Sequence, residues 1–158
     1  MRRTIFAAAA AAAVVAVAAT ALADAAPRAG GAPITLKSTL ELTGVVPVDA
    51  DRNGVPSQGD YELWSEVFHG TSGAVVGNGT AICFETDGSG RQFTCTGEAD
   101  FGANELQVAF RFFPTSKTFR LAILGGLGSY EGAYGQAIGT WLDPKDTRAS
   151  MVFTIKTR

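Results

Sequence analysis

The feature that most constrains the fold is a two-residue alternation of apolar and polar side chains that begins at Ile34 and continues through the chain. Such alternation is typical of half-buried strands, because successive side chains of a strand point to opposite faces. It predicts eight strands. They are Ile34–Val46, Tyr61–His69, Ala81–Thr86, Arg91–Phe101, Glu105–Phe113, Lys117–Leu124, Gln136–Trp141 and Ser150–Lys156.

Short clusters rich in glycine, proline, serine and aspartate separate most of these runs, for example residues 70–73, 87–90 and 143–146. Residues of this kind favour turns, and no stretch with a helical period of useful length follows the N-terminal region. The chain is therefore expected to be all-β. The pattern alone fits either a sandwich or a barrel.

A glycine-dense segment, LGGLGSYEGAYGQAIGTW at residues 124–141, lies between two of the predicted strands. A dinucleotide-binding loop would need a third glycine at position 131, where Glu131 stands, so a nucleotide site is disfavoured. Glycines there allow close backbone approach. The residues that define this corner are Gly125, Gly126, Gly128, Tyr130, Glu131, Gly132, Tyr134 and Gly135.

Residues 121–136, which contain the corner, resemble the allene oxide cyclase barrel, a relative of the dirigent proteins, and residues 59–83 resemble its second and third strands more loosely. The resemblance implies an eight-stranded antiparallel β-barrel of calycin-like architecture. It also implies a cofactor-free isomerase or cyclase that binds a small apolar molecule, and a homo-oligomer. One fold hosts many functions, so catalysis stays an open expectation.

The N-terminus has the plan of a secretory signal peptide: a short basic region, an alanine-rich apolar run and the small-x-small site Ala21-Leu22-Ala23. An uncleaved anchor is the competing interpretation. We expect a signal peptide at residues 1–23, a flexible lead at 24–32 and one barrel domain at 33–158. The mature protein would be secreted or extracytoplasmic, without a membrane anchor.

Charge argues against a nucleic-acid partner. The chain carries 13 Lys+Arg against 15 Asp+Glu, with a formal net charge of −2. The sequence contains no run of basic residues of the kind that binds phosphate backbones.

The two cysteines flank the turn Asp87–Gly90. If the hairpin is centred on Ser89, Cys83 faces Cys95, and an exported chain with an even cysteine count favours a disulfide. The alternative is a free Cys83, which would correspond to the pocket cysteine of plant allene oxide cyclases. A disulfide would remove that thiol from any chemistry.

The segment Asp49–Asp60 has the spacing of a calcium-binding loop, which needs oxygen ligands at positions 1, 3, 5 and 12, a glycine at 6 and the carbonyl of 7. The shorter acid at position 12 and the lack of flanking helices depart from that pattern, and a solvated connection rich in turn formers is the alternative. The candidate ligands are Asp49, Asp51, Asn53, Val55 and Asp60.

The sequence names no catalytic residue. His69 is the only histidine, and without a serine or free cysteine partner it is more typical of a turn than of a general base. Glu41, Glu66 and Glu105 lie on strands, where an inward carboxylate would have a raised pKa and could act as acid or base. The many aromatic residues could fill the barrel or line an apolar pocket.

Two functions are therefore expected from the sequence. The first is a secreted barrel that binds a small apolar molecule and steers a cofactor-free cyclisation or isomerisation. The second is a non-catalytic secreted binding or structural module, in one version stabilised by calcium.

Overall fold

The computed structural model describes residues 32–145 and 147–157. Within them, all helix or strand structure consists of eight strands and a one-turn 3-10 helix at Gly128–Tyr130. The strands are β1 (Ile34–Val48), β2 (Tyr61–His69), β3 (Val75–Glu85), β4 (Phe93–Phe101), β5 (Asn104–Phe112), β6 (Thr118–Leu127), β7 (Tyr134–Trp141) and β8 (Arg148–Lys156).

The strands form a closed antiparallel barrel in which each strand pairs with its neighbours in the sequence. Pairing of β1 with β8, in register at Ile34 and Ile155, closes the sheet on itself. A closed sheet leaves no strand edge unpaired. The predicted all-β, eight-stranded antiparallel barrel is confirmed, and the sandwich alternative is wrong.

All eight predicted strands are present, and the largest boundary error is at β3, which begins at Val75 rather than Ala81. Its first half contains Gly77, Asn78 and Gly79, residue types that suggest a turn. The barrel needs small residues there: a Cβ at Gly77 would lie 2.1 Å from the Asp100 carbonyl oxygen. Tertiary packing therefore overrides the local preference of this stretch.

Large and small inward residues lie side by side on neighbouring strands, so that aromatic rings occupy the space that glycines leave. The Phe119 ring lies over Gly139, where an added Cβ would come 2.2 Å from the ring. Such alternation fills the interior of a small barrel. The largest aromatic side chains of the core are Trp64, Phe68, Phe93, Phe101, Phe110, Phe112, Phe119, Tyr130, Trp141 and Phe153.

The glycine-rich corner closes one end of the barrel against the start of β5. Gly128 has φ +65°, and a Cβ there would meet the Ala103 carbonyl oxygen at 2.5 Å. The Ser129 N–H donates a hydrogen bond of 2.8 Å to Asn104 Oδ1. Tyr130 is buried, whereas Tyr134 is 43% exposed. These contacts give the corner a structural role.

The predicted signal peptide, residues 1–23, lies outside the described residues, as does the predicted lead apart from Ala32. In the described part of the chain, no helix is long and apolar enough to cross a membrane.

Candidate functional site

One end of the barrel, here called the mouth, carries the β1–β2, β3–β4, β5–β6 and β7–β8 connections, since the strands alternate in direction. A cavity of about 410 Å³ lies at the mouth beneath the β1–β2 loop. This volume falls in the range of small-molecule sites. Its lining includes Asp49, Asp60, Tyr61, Glu62, Glu85 and Phe93.

Four aromatic side chains, here called the aromatic layer, lie between the mouth cavity and the barrel interior: Trp64, Phe93, Phe112 and Trp141. Phe112 is central, with ring centroids 5.1 Å from Trp64, 6.2 Å from Phe93 and 6.0 Å from Trp141. Phe93 lines the mouth cavity, and the two tryptophans line the interior. The layer therefore separates the two spaces.

The interior of the barrel, here called the lumen, contains a cavity of about 20 Å³. A cavity of this size holds about one water molecule. Its lining is mostly apolar and includes the rings of Trp64, Phe68, Phe110, Phe119, Trp141 and Phe153. The lumen is thus nearly filled by its own side chains.

Glu66 is the carboxyl group that β2 turns into this lumen. Strand alternation gives it the same orientation as Trp64 and Phe68, and it is 9% exposed. It lies over Gly79, where an added Cβ would be 3.0 Å from Glu66 Oε2. Within the described residues no hydrogen bond or ion pair reaches this carboxyl group.

Burial raises the pKa of Glu66 from 4.5 to about 7, because the apolar surroundings disfavour its charged form. Near neutral pH this carboxyl group therefore exists in both forms and can donate or accept a proton. Of the three glutamates that were expected as candidate acids or bases, Glu41, Glu66 and Glu105, Glu66 has the environment of an acid or base.

The other two strand glutamates face outward. Glu41 Oε2 lies 3.1 Å from His69 Nε2, and its side chain is 46% exposed. His69 Nδ1 lies 3.2 Å from the Gly73 carbonyl oxygen. Both ring nitrogens thus have hydrogen-bond partners near the β2–β3 turn, and His69 does not line the lumen. This position agrees with the interpretation of His69 as a turn residue. Glu105 is half-buried on the outer side of β5 and pairs with Gln107.

Cys83 and Cys95 are fully buried and form a disulfide in the register that the hairpin predicted. Their Cα atoms lie 4.0 Å apart. The predicted disulfide is present, so the alternative of a free pocket thiol at Cys83 is wrong. Chemistry that depends on that thiol has no basis in this chain.

The acidic loop brings three predicted ligands together: carboxylate oxygens of Asp49, Asp51 and Asp60 lie within 4.8 Å of one another. The N–H groups of Asn53 and Gly54 donate to Asp49, at 3.2 and 2.8 Å. The bond from Gly54 is the main cause of the lowered pKa of Asp49.

Two other predicted ligands join the loop's hydrogen bonds. Asn53 Nδ2 donates to Asp51 Oδ2 at 2.8 Å, and the Val55 N–H donates to Asn53 Oδ1 at 2.8 Å. The Val55 side chain is 60% exposed. The cluster has the residue types of a calcium site, and its present hydrogen bonds are also those of a self-supporting loop.

Sequence reasoning missed the two mouth glutamates, Glu62 and Glu85. Glu62 Oε2 accepts a hydrogen bond of 2.8 Å from Trp64 Nε1, and Glu85 accepts one from the Gly90 N–H. Glu62 could have been found from the alternation of β2, because it shares the inward orientation of Trp64. Trp141 Nε1 is buried without a hydrogen-bond partner in the described residues.

Fold and site together define a closed eight-stranded antiparallel barrel with an aromatic lumen and one isolated carboxyl group. No protein-family model matches the chain, and no curated protein matches it by sequence. Solved structures do match. A pyocyanin demethylase has a TM-score of 0.65 and 21% identity, over 78% of this chain and 100% of that one.

A pterocarpan synthase dirigent protein has a TM-score of 0.63 and 16% identity, over 80% of this chain and 89% of that one. A cyclase described as nonspecifically heme-binding, which catalyses a cycloaddition in neoabyssomicin biosynthesis, has a TM-score of 0.62 and 15% identity, over 79% of this chain and 63% of that one. The fold is therefore shared with dirigent and cyclase barrels. Likeness to allene oxide cyclases in particular rests on the corner sequence.

A heme does not fit the lumen of this chain. The cavity is about 20 Å³, and Met151 is the one residue of its described lining that could bind the iron, since no histidine, tyrosine or free cysteine is among the lining residues.

Proposed function

We propose that this chain is an exported barrel that binds a small apolar molecule in the lumen beside Glu66 and steers its cyclisation or isomerisation without a cofactor. The proposal places the ligand inside the barrel, with the mouth as its entrance. The resemblance of the corner also supports a homo-oligomer, which sedimentation of the purified chain would test.

The observation that carries the proposal is the isolated carboxyl group of Glu66. A pKa raised from 4.5 to about 7 means that ionising this group costs about 3 kcal/mol more than in water. An apolar residue or an amide at this position would avoid the unfavourable burial of an acid. Buried acids of this kind are therefore typical of functional sites. An acid of this strength can donate or take a proton in the reaction.

The mouth cavity supports a route to that carboxyl group, with the aromatic layer between the cavity and the lumen. The cavity of about 410 Å³ can hold a small molecule before it reaches the lumen. Because the lumen holds about 20 Å³ of free space, entry requires its side chains to move. Met151 and Leu40 line it, and methionine adapts its shape easily.

Tryptophan fluorescence tests this proposal, because both tryptophans of the chain line the lumen. Purified wild-type protein is titrated with a set of apolar ring compounds of increasing size. We expect at least one to shift the emission and saturate, and Trp141→Phe to keep binding while halving the signal. A set in which no compound changes the emission or the melting temperature would contradict a lumen site.

Catalysis is tested separately from binding. For a compound that binds, product formation is followed with the wild type and with Glu66→Gln, which keeps the shape but cannot exchange a proton. We expect the variant to bind and to lose turnover by roughly 100-fold or more. Equal turnover in the two proteins would remove Glu66 from the reaction.

A second candidate is a non-catalytic secreted module stabilised by calcium. The specific observation in its favour is the convergence of Asp49, Asp51 and Asp60 in the order of a calcium loop. We expect millimolar calcium to raise the melting temperature, magnesium to do so less, and Asp51→Asn to abolish the effect. Identical melting with calcium and with a chelator would exclude this version.

A further inference from the structure

We infer that the ligand of the lumen is a hydrophobic cation, such as a protonated amine on a hydrocarbon or aromatic skeleton. This inference rests on the proposed function, because it concerns the occupant of the same site. It adds the charge of that occupant, which neither the fold nor the similar structures specify.

The first reason is that, of the described side chains along the route, only carboxyl groups carry a charge near neutral pH. Among the described residues that line the mouth cavity and the lumen cavity, none is lysine, arginine or histidine. The acids that line them with their side chains are Asp49, Asp60, Glu62 and Glu85 at the mouth and Glu66 at the lumen. Glu98 also borders the lumen cavity, but its side chain lies on the exposed outer face of β4 and accepts a hydrogen bond from Thr80 Oγ1. One sign of charge along a cleft with apolar walls attracts the opposite charge and repels its own.

The second reason is the aromatic lining. The rings of Trp64, Phe68, Phe110, Phe119 and Trp141 line the lumen, and several of their centroids are 4.9 to 6.1 Å apart. The face of an aromatic ring is negative, so it attracts a cation, and tryptophan does so most strongly. The rings and the carboxylates therefore favour the same sign of ligand charge.

The third reason is the isolation of Glu66. It is 9% exposed, faces the lumen cavity and has no partner among the described residues. A cation brought to this carboxylate supplies the missing charge partner and hydrogen-bond donor together. An anionic ligand would face like charges along the whole route, and a neutral one would bring at most a hydrogen bond and no opposite charge to the carboxylate.

A matched series of probes tests the inference: 2-phenylethylamine, 2-phenylethanol and 3-phenylpropionate, together with their naphthyl counterparts. The three differ in charge and little in size. Binding to the purified chain is measured by calorimetry at neutral pH and low salt, with tryptophan emission reporting entry into the lumen. We expect the amine to bind at least about tenfold more tightly than the alcohol, and the carboxylate to bind least.

Glu66→Gln should remove the preference for the amine and leave the affinity for the alcohol within about twofold. Glu105→Gln, which deletes the same charge on the outer side of β5, should keep the preference and controls for net charge. Glu66→Leu is the second variant and should behave as the glutamine variant does. Folding of each variant is checked by its melting curve.

The outcomes separate the inference from the proposed function. If the amine and the alcohol bind equally, the charge inference is wrong while a lumen site for apolar molecules stands. If the amine preference survives in Glu66→Gln, the cation does not meet this carboxyl group and the inference is also wrong. If no probe binds in the lumen, the inference and the lumen site both fail.

Discussion

At the scale of single residues, Glu66 differs from the other acids among residues 32–145 and 147–157 in being buried among aromatic rings without a partner. The carboxylates that the loops expose behave in the opposite way. Asp49, Asp87 and Asp143 accept hydrogen bonds from nearby loop groups, and these bonds lower their pKa values. The pH dependence of stability should therefore separate the lumen acid from the loop acids.

We predict that the free energy of unfolding falls by about 3 kcal/mol as the pH rises through the window set by Glu66. The folded chain holds this proton up to a pKa of about 7, whereas the unfolded chain releases it near 4.5. Between these values the folded state binds more protons, so raising the pH destabilises it, and above the window the loss is complete.

Urea unfolding of the wild type and Glu66→Gln across this range measures the effect. The variant should lack this component of the pH dependence and should be the more stable protein above neutral pH. The loop acids have lowered pKa values and are present in both proteins. Their contribution to the pH dependence therefore cancels when the two proteins are compared. Parallel pH curves would show that folding does not raise the pKa of Glu66.

At the scale of secondary-structure elements, the packing of two paired strands depends on which of their inward positions are glycines. Gly139 on β7 accommodates the Phe119 ring of the neighbouring strand β6. The β3–β4 hairpin depends instead on a covalent link, since its opposed residues Cys83 and Cys95 are joined. Each of these features gives a stability change that can be measured.

We predict that Gly139→Ala lowers the free energy of unfolding by about 1 to 3 kcal/mol, because the new methyl group would stand 2.2 Å from the Phe119 ring. Gly44→Ala is the control, since its Cβ would meet Ser65 no closer than 3.8 Å. The control should change stability little. Chemical unfolding compares the two, and equal effects would mean that the Phe119 ring does not occupy this position.

We predict that reducing the disulfide lowers the free energy of unfolding by about 2 to 3 kcal/mol, the value for a short closed loop. The separation of 12 residues between Cys83 and Cys95 sets the size of this loop. Unfolding is measured with and without a thiol reductant, after the thiols are counted. The double variant Cys83→Ala/Cys95→Ala should be insensitive to the reductant, and a wild type equally insensitive would contradict a structural role.

At the scale of the whole molecule, closure of the barrel brings the two ends of the described chain together, because Ile34 of β1 pairs with Ile155 of β8. Chain ends that lie close together tolerate being joined when the chain is opened at an exposed turn. The β5–β6 turn near Pro114 and Thr115 is exposed and offers such a point.

We predict that a circular permutant with residue 157 linked to residue 33 and new ends between Pro114 and Thr115 folds cooperatively, losing no more than about 2 kcal/mol. All eight strand pairings survive in it. A second permutant, opened between Gly79 and Thr80 inside β3, breaks the pairing with β2 and β4 and should not fold. Thermal unfolding of both checks the prediction, and failure of the first would contradict β1–β8 closure.

Short-range physics explains what the sequence determined. The alternation predicted all eight strands, and a turn centred on Ser89 predicted the register of Cys83 with Cys95, because both depend on residues close together in the chain. The start of β3 was misplaced because Gly77 and Gly79 look like turn residues until the rings of other strands are known. Local patterns thus determined the elements and one hairpin.

Only the tertiary structure decided how the elements close and what their inner faces enclose. Pairing of β1 with β8 joins strands from opposite ends of the chain, and the lumen cavity of about 20 Å³ depends on side chains from all around the barrel. From the sequence, Glu66 could not be distinguished from Glu41 and Glu105 as a candidate acid or base. Its isolation and raised pKa follow from distances across the barrel, which no local pattern encodes.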